Sequence, residues 1–338
     1  MSLTLFRELK SLGHEVVPVD WQVNPATGPG IVLPLRVGWA KTALWHFELL
    51  RRLPDTGATL LAPGGYPLVL GRHPRLAVVV HDLSALDAGV YRPGKRLWFR
   101  ALWPRSLQKA RLVFCISEHT RQRLLARVPL DPQRVVVMPL GVDPALAAAL
   151  RAAGDAAPDA ARGVFLFVGT LEVRKNLLRL LDAYAQARAA GLTTPLWLVG
   201  KPGHGGDAIL RRLAAPDLGG AVVHLGPVDE IRLAQLYGQA KAFLFPSLDE
   251  GFGLPILEAM AAATPVLTSS VASMPEVAGD AALLVDPHDT AAIAAALLRL
   301  ERDRGLREAL RSKGRARLEH FDPHRLAADA ARALETLA

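Results

Sequence analysis

AKAFLFPSLDEGFGLPILEAMA, residues 240–261, decides the fold class. It begins with a continuous apolar run, which is typical of a strand buried on both faces of a sheet. A turn with two glycines follows. Pro255 then stands near the start of a second apolar run, where proline is favoured if that run is a helix. A strand, a turn and a helix in this order predict a parallel α/β sheet.

The same unit repeats along the chain, as periodicity shows. In the second half the predicted strands are GVFLFVG, PLWLVG, AVVHLG, TPVLTS and AALLV, and the predicted helices lie near 176–190, 207–215, 230–239 and 254–263. In the first half the predicted strands are HEVVPV, RLAVVVHD, RLVFCIS and RVVVMPL, and the predicted helices are KTALWHFELLRRL and EHTRQRLLARV. A final helix is predicted near 323–337.

A length of 338 residues favours two domains over one. Alanine, proline and glycine in DPALAAALRAAGDAAPDAARG, residues 143–163, favour a surface linker between them. We therefore predict an N-terminal domain over 1–150, a second domain over 151–320, and a C-terminal helix over 321–338 that could cross back to the first domain.

Composition narrows the class of protein. No apolar run reaches the length of about 18 residues that a membrane-spanning helix needs, and the first residues, MSLTLFRELK, lack the apolar core of a secretory signal. Cys115 is the only cysteine, so an internal disulfide is excluded and a reducing compartment is favoured. Its neighbours in LVFCIS indicate a buried strand thiol.

The positive charge is concentrated in the first half. Residues 1–150 carry 19 Lys and Arg against 10 Asp and Glu, whereas residues 151–338 carry 21 against 22. Residues 91–111 hold seven of these cations and no acid, together with Trp98, Phe99 and Trp103. Such a stretch favours an anionic partner, and its aromatics suit a membrane interface. The alternative is a solvated helix face with its aromatics in the core. Nucleic acid is disfavoured because no known binding module is present.

Two cations stand at a predicted strand end in VGTLEVRKNL, residues 168–177. Arg174 and Lys175 precede a helix, where free backbone N–H groups and positive charge together suit a diphosphate. The loop is neither a Walker sequence nor a dinucleotide fingerprint. A solvated turn is the alternative. The glycines of LVGKPGHGGD, residues 198–207, allow close backbone approach to a ligand or are ordinary loop glycines.

Glu250 and Glu258 lie at the mouth of the helix in the opening stretch. We place Glu258 in the first helical turn, pointing back toward the loop that holds Glu250. The positive end of the helix dipole should keep both carboxylates ionised, so that they accept hydrogen bonds from paired hydroxyls of a ribose or hexose. An acidic first turn that only stabilises its helix would explain Glu258 but not Glu250.

At this point the motifs resemble a known family. PSLDEGFGLPILEAMAAATPVLTS is similar to the E-x7-E signature of retaining glycosyltransferases of family 4, and VGTLEVRKNLLRLLDAYA, LVGKPG and ASMPEVAGDAALLVDPHD match other motifs of that family. In the first half, VVVHDLSAL, ISEHTRQRLL and MPLGVD match in the same order, so that the resemblance covers roughly residues 75–320. It implies a GT-B fold, with two Rossmann-like doubly wound domains facing a cleft: an acceptor-side domain over 1–150 and a nucleotide-sugar-binding domain over 151–320. It also implies metal-independent hexosyl transfer with retention.

The resemblance assigns roles residue by residue. Glu258 would hold the ribose hydroxyls, Glu250 the sugar hydroxyls, and Arg174 and Lys175 the leaving diphosphate. His81 would reach the sugar across the cleft. The implied catalytic residues are His81, Arg174, Lys175 and Glu250. The implied donor-binding residues are Gly169, Thr170, Arg174, Lys175, Gly200, Lys201, Glu230, Glu250, Gly251, Phe252, Gly253, Leu254 and Glu258. No metal and no cofactor are implied, because the sugar nucleotide is a co-substrate.

Two departures from the family are expected to matter. Many relatives have a basic residue at the position of Thr170, so that Arg174 would carry more of the charge here. The chain also begins in what looks like the first helix, so that the first domain is expected to lack its first strand and the loop that follows it. If so, activity would be in doubt.

Donor and acceptor follow from the same resemblance. GTLEVRKN with EGFGLPILEAMA looks most like mannosyltransferases that use GDP-mannose in surface-polysaccharide assembly, and Asp229 or Glu230 would accept from guanine. The acceptor would be a glycan or a polyprenyl-diphosphate-linked sugar at the cytoplasmic face of the inner membrane, which the protein would contact peripherally. UDP-sugars and other GDP-sugars stay open. The alternatives are a nucleotide-sugar epimerase of the same fold and a non-catalytic sugar-nucleotide-binding protein.

Overall fold

The structure, a computed structural model, describes residues 2–15, 19–20, 31–32, 59–62, 75–83 and 103–337. Its strands are β1 Val19–Asp20, β2 Ile31–Val32, β3 Leu60–Ala62, β4 Leu76–Val80, β5 Leu112–Cys115, β6 Val135–Val137, β7 Val164–Val168, β8 Leu196–Val199, β9 Val222–Gly226, β10 Ala240–Phe245, β11 Val266–Ser269 and β12 Ala282–Val285. All of their pairings are parallel, which confirms the fold class predicted from the continuous apolar runs.

Helices alternate with these strands. Those predicted near 176–190, 207–215, 230–239, 254–263 and 323–337 are present, whereas those at 274–278, 290–302 and 304–318 were not predicted. The helices are α1 Ser2–Ser11, α2 Glu118–Leu125, α3 Pro144–Ala156, α4 Leu177–Ala189, α5 Gly206–Leu213, α6 Glu230–Gln239, α7 Leu254–Ala261, α8 Met274–Ala278, α9 Thr290–Arg302, α10 Arg304–Leu318 and α11 Pro323–Glu335. Residues 103–109 are also helical. Among the helices described, none combines the length and apolar composition that a bilayer crossing requires.

The chain forms two compact units. The first contains Met1–Leu140 and Pro323–Ala338, and the second contains Gly141–Asp322. Helix α11 therefore belongs to the first unit, where it packs against α1. His324 Nδ1 lies 3.1 Å from Glu8 Oε2 at this contact.

The second unit has a six-stranded sheet in the order β12-β11-β10-β7-β8-β9. Counted from the unit's own first strand, this is the 3-2-1-4-5-6 order of a doubly wound dinucleotide-binding domain. The strand order reverses between β7 and β10, and ligands of such sheets bind beyond the carboxyl ends of the strands at that point. The loops that follow β7 and β10 therefore define the place to look for a site.

The core beneath this point is aromatic. Phe167 of β7 stacks with Phe245 of β10 at a ring-centroid distance of 6.3 Å, and Phe243 stacks with Phe245 at 5.6 Å. All three are fully buried, and each contributes about 1.5–3 kcal/mol of hydrophobic stabilisation. A rigid base thus supports both loops.

The linker prediction was wrong. Most of residues 143–163 form α3, which begins at Pro144 and is capped by the Asp143 carboxylate on the amides of Ala145 and Leu146. Alanine, whose abundance suggested a linker, has the highest helix propensity of all residues. Arg162 fastens the segment, since its buried guanidinium donates to five oxygens, on Gly154, Ala157, Ala240, Ala262 and Thr264.

The first unit has its described core around β4 and β5. Cys115 is buried there, and burial raises the pKa of its thiol to about 12, which confirms a structural thiol. Trp103 is also buried in this core, so the expectation that it lies at a membrane interface was wrong. Trp98, Phe99 and the four cations Arg92, Lys95, Arg96 and Arg100 lie outside the described residues.

Within the described ranges, the strands of the first unit form a two-stranded sheet, β1-β2, and a four-stranded sheet, β3-β4-β5-β6. The predicted helix KTALWHFELLRRL lies outside those ranges. The expected absence of a strand beside β1 concerns residues that are not described, and it stays a prediction.

Candidate active site

The loops after β7 and β10 meet in a cluster of charges. Lys175 Nζ lies 2.6 Å from Glu250 Oε1, and Arg174 Nη1 donates to Glu250 Oε2. Arg174 also donates through Nη2 to Glu172 Oε1 at 2.8 Å. Two cations and two carboxylates therefore form one network at the switch point of the sheet.

The centre of this network, the pair of Lys175 and Glu250, is withdrawn from water, whereas Arg174 and Glu172 are half-buried. Lys175 and Glu250 are each 7% exposed, and the Lys175 ammonium lies 4.6 Å from the centroid of the Phe245 ring. Burial alone would lower the pKa of Arg174, but the Glu250 carboxylate, and after it Glu172, outweigh burial and raise it. Arg174 thus stays charged, and the meeting of two cationic side chains suits an anionic ligand.

Asn176 holds the two loops together. It has a left-handed backbone, with φ of 60°, which an L residue adopts only at a cost. Its Nδ2 donates to the carbonyl oxygens of Pro246 at 3.1 Å and Pro287 at 2.7 Å, while its Oδ1 accepts from Arg179. The left-handed turn at Asn176 directs Arg174 and Lys175 toward the loop after β10, to which the Asn176 side chain is also bonded.

Buried hydroxyls bond to the end of β10 and to the Glu250 loop that follows it. Thr268 Oγ1 donates to Phe245 O at 2.8 Å and Ser269 Oγ to Ser247 O at 2.6 Å. Ser273 Oγ lies 2.9 Å from Glu250 O and 2.8 Å from Phe252 O. The sequence interpretation missed these residues, although the polar run TSSVAS, which begins within the last residues of an apolar strand, was a usable signal.

Glu258 is not in the first turn of its helix, as the sequence suggested. Helix α7 begins at Leu254, after Gly253 with φ of 104°, so that Glu258 lies in the second turn. Burial raises the pKa of Glu258, against a lowering by the Tyr237 hydroxyl, and the Glu230 charge raises it further. The pKa of Glu258 is therefore shifted in the direction opposite to the one that a helix dipole would give.

The glycine-rich loop after β8 approaches the loop after β7. A Cβ on Gly200 would lie 2.0 Å from Gly169 O, and a Cβ on Gly203 would lie 2.5 Å from the Thr170 side chain. Leu171 N donates to Lys201 O and Gly203 N donates to Leu171 O, each at 2.9 Å. Glycine is thus required here for loop-to-loop packing, which supports the cationic loop from its second side.

Two models of protein families match the chain. "Glycosyltransferase Family 4" matches residues 2–146 and "Glycosyl transferases group 1" matches residues 162–303. The chain belongs to the family 4 glycosyltransferases. The resemblance drawn from the sequence motifs is confirmed.

Curated relatives of this glycosyltransferase include three bacterial enzymes. The O-antigen chain mannosyltransferase B of Escherichia coli is 33% identical over 255 residues, which are 73% of this chain and 66% of the relative. A D-inositol 3-phosphate glycosyltransferase of Actinosynnema mirum is 37% identical over 265 residues, which are 73% of this chain and 61% of the relative. An MMP alpha-(1->4)-mannosyltransferase of Mycolicibacterium hassiacum is 31% identical over 263 residues, which are 72% of this chain and 59% of the relative. The chain thus spans less than two thirds of each relative's length.

Solved structures confirm the GT-B fold of the family 4 chain. A sucrose-phosphate synthase from Thermosynechococcus elongatus has a TM-score of 0.75 at 22% identity, covering 98% of this chain and 91% of that structure. The Anabaena protein HepE, in complex with UDP and glucose, has a TM-score of 0.74 at 17% identity, covering 98% and 95%. At these identities the likeness concerns the fold, which has two Rossmann-like domains.

The other predicted site residues of this glycosyltransferase are divided between the two units. Phe252 is buried and packs edge-on against Phe321 at 5.7 Å, and Leu254 opens α7. Lys201 is exposed, and Gly251 lies between Glu250 and Phe252 in the loop. His81 directly follows β4 in the first unit. Across the described ranges, no three His, Cys, Asp or Glu side chains are grouped as a metal site.

Proposed function

We propose that this family 4 glycosyltransferase transfers mannose from GDP-mannose, with retention, to a lipid-linked or polysaccharide acceptor in cell-surface glycan synthesis. The observation that carries the proposal is the meeting of Arg174, Lys175 and Glu250 at the switch point of the second sheet. The two mannosyltransferases among the relatives support mannose as the sugar.

The charges suit the chemistry of a sugar nucleotide. When the bond between the sugar and the diphosphate breaks, negative charge develops on the leaving phosphate oxygen. Arg174 and Lys175 would stabilise that charge in a site where little water competes, the role that a metal ion has in other transferases. Glu250 would accept hydrogen bonds from the sugar hydroxyls, and Glu258 from the ribose. The family resemblance assigns His81 a hydrogen bond near the reacting centre.

The proposal that the nucleotide base is guanine depends on the N-terminal end of α6. Asp229 is committed to its helix, because its carboxylate accepts from the amide of Arg232 at 2.7 Å as the N-cap. Glu230 follows it, and its charge acts on Glu258. Of the two acids considered for guanine, Glu230 is thus the better candidate to accept from N1 and N2.

A donor screen tests the proposal. The purified protein would be incubated with GDP-mannose, other GDP-sugars and UDP-sugars, with product detection by mass spectrometry, in the presence and absence of a polyprenyl-diphosphate-linked acceptor. We expect GDP release fastest from GDP-mannose and stimulated by the acceptor. Epimerised sugar without acceptor would indicate an epimerase instead. Nucleotide binding without any turnover would indicate a non-catalytic protein.

We further propose peripheral contact with an anionic membrane on the cytoplasmic side, where such an acceptor would be presented. The support is the charge of the first half together with the described cations Arg105, Lys109 and Arg111, of which Arg105 and Arg111 are exposed. Because Trp103 is buried, charge rather than this ring would provide the attraction. We expect sedimentation with anionic vesicles, little with neutral ones, and release at high salt. Equal binding to both, or to neither, would exclude this contact.

A further inference from the structure

Glu258 has a partner that no sequence motif indicated. The hydroxyl of Tyr237 donates to Glu258 Oε2 at 2.9 Å, across 21 positions of the chain. Tyr237 is fully buried, whereas Glu258 is half-buried. One carboxylate oxygen is thus engaged inside the protein, and the side chain keeps part of its surface accessible.

Tyr237 is itself held from several directions. Its ring lies 5.4 Å from the Phe243 ring at an interplanar angle of 57°, and its carbonyl oxygen accepts from Thr264 Oγ1 at 2.7 Å. The next residue, Gly238, lies against α3, so that a Cβ there would be 2.6 Å from Ala153 O. The hydroxyl is therefore aimed at Glu258 by a fixed helix and a packed ring.

We propose that Tyr237 is a positioning residue that occupies Glu258 Oε2 and thereby presents Oε1 to the paired hydroxyls of the nucleotide ribose. The inference rests on the proposed function, in which Glu258 binds the ribose. A carboxylate rotates freely about its last torsion unless a hydrogen bond fixes it, and a fixed acceptor loses less entropy when the ligand binds.

The Tyr237 hydroxyl also affects the pKa of Glu258. Two titratable groups, both on α6, act on Glu258: burial raises the pKa of Glu258, the Tyr237 hydroxyl lowers it, and the Glu230 charge raises it. Only the ionised carboxylate accepts through both oxygens. Nucleotide affinity should therefore fall as the pH falls through the raised pKa. Removing the hydroxyl should raise that pKa further and move the loss of affinity to higher pH.

The test compares wild-type protein with Tyr237→Phe by calorimetry, using GDP and 2′-deoxy-GDP from acidic to neutral pH. We expect GDP to bind about tenfold more weakly to the variant, the size of one hydrogen bond to a charged group. The preference for GDP over 2′-deoxy-GDP should be smaller in the variant. The loss of GDP affinity on acidification should begin at a higher pH than in the wild type.

Tyr184→Phe is the matched control. Tyr184 is equally buried, and its hydroxyl donates to a backbone oxygen, Thr194 O, at 2.8 Å. The same atom is removed from the same residue type in the same unit. We expect a comparable loss of thermal stability with unchanged GDP affinity and unchanged pH profile.

Glu258→Gln separates the two proposals. If wild-type protein does not bind GDP, or if Glu258→Gln binds it normally, the assignment of the ribose site fails and this inference fails with it. If Glu258→Gln loses affinity while Tyr237→Phe matches wild type at every pH, the inference about Tyr237 alone is overturned. In the double variant, Tyr237→Phe should cost no further affinity. An additive loss there would also overturn it.

Discussion

The ammonium of Lys175 lies 2.6 Å from Glu250 Oε1, although 75 positions of sequence separate the two residues. The fold brings them together because one follows β7 and the other follows β10, which are neighbours in the second sheet. In this state the cations that suit a diphosphate are paired with the carboxylate that suits a sugar. A bound sugar nucleotide would have to share Arg174 and Lys175 with Glu250.

Lys175→Ala should lower turnover about 100-fold, because a charge that acts on the leaving group is removed. It should also destabilise the second unit by about 2–3 kcal/mol, since a buried carboxylate loses one of its two cations. The loss of stability follows from the burial of Lys175 and Glu250, each of which is 7% exposed. Steady-state kinetics and denaturant unfolding would measure both effects.

Two controls sharpen this prediction. In a double-mutant cycle with Glu250→Ala, the stability losses should be less than additive. Lys241→Ala removes a lysine of the same unit whose ammonium bonds only to Thr194 Oγ1 among the contacts described, and it should leave kcat unchanged. Near-normal rates in both Lys175→Ala and Arg174→Ala would show that the two cations do not act on the diphosphate.

Substitutions of Asn176 should lower the free energy of unfolding by different amounts. Asn176→Gly loses two buried hydrogen bonds but accommodates a φ of 60°, and should cost about 2 kcal/mol. Asn176→Ala loses the same bonds and adds the strain of a left-handed alanine, about 1 kcal/mol more. Thermal denaturation would rank them. If alanine were tolerated better than glycine, the backbone at this position would not be held left-handed.

The six strands of the second sheet, four of the helices that follow them, and the cationic and acidic loops could be predicted, because continuous apolar runs and E-x7-E spacing are local patterns. Helices α8, α9 and α10 and the short strands β2 and β3 were not predicted. The partners of these residues could not. Nothing local links Tyr237 to Glu258 or Ser273 to the Glu250 loop, since such contacts depend on how strands are ordered in the sheet. A linker was predicted where the structure has α3, and the reason for this error is different. The segment was interpreted from its alanine and glycine content, whereas Asp143 and Pro144 are typical of a helix start.

Asp159 should make the second unit sensitive to acid. The Arg307 guanidinium, 2.7 Å from Oδ2, and then Arg311 hold the pKa of Asp159 well below its usual range. Because the folded-state pKa is depressed, the stabilisation is present above the ordinary carboxylate pKa and is lost as the pH falls toward the folded value. Asp159→Asn should cost about 3 kcal/mol at neutral pH, because Arg307 is buried and loses its partner.

The pH dependence separates this ion pair from ordinary packing. The gap in unfolding free energy between wild type and Asp159→Asn should narrow progressively in acid. Asp280→Asn is a suitable control, since its partner Lys313 is half exposed, at 50%, and exposed pairs contribute little. A gap that stayed constant from neutral to acidic pH would show that the Asp159 charge is not the source of the stability.

Ser273→Ala tests whether the Glu250 loop must be held rigidly for catalysis. The Ser273 hydroxyl is buried and lies within hydrogen-bond distance of the carbonyl oxygens on both sides of Gly251. Its loss should cost about 1 kcal/mol of stability and lower kcat about tenfold through misplacement of Glu250. Affinity for GDP should hardly change, because GDP lacks the sugar that Glu250 would contact. Thr268→Val is the control, since it removes a buried hydroxyl bonded to the neighbouring strand, at Phe245 O, before the Glu250 loop begins, and should cost stability without lowering kcat. Equal kcat losses in both variants would indicate a general effect of destabilisation rather than a role for the loop.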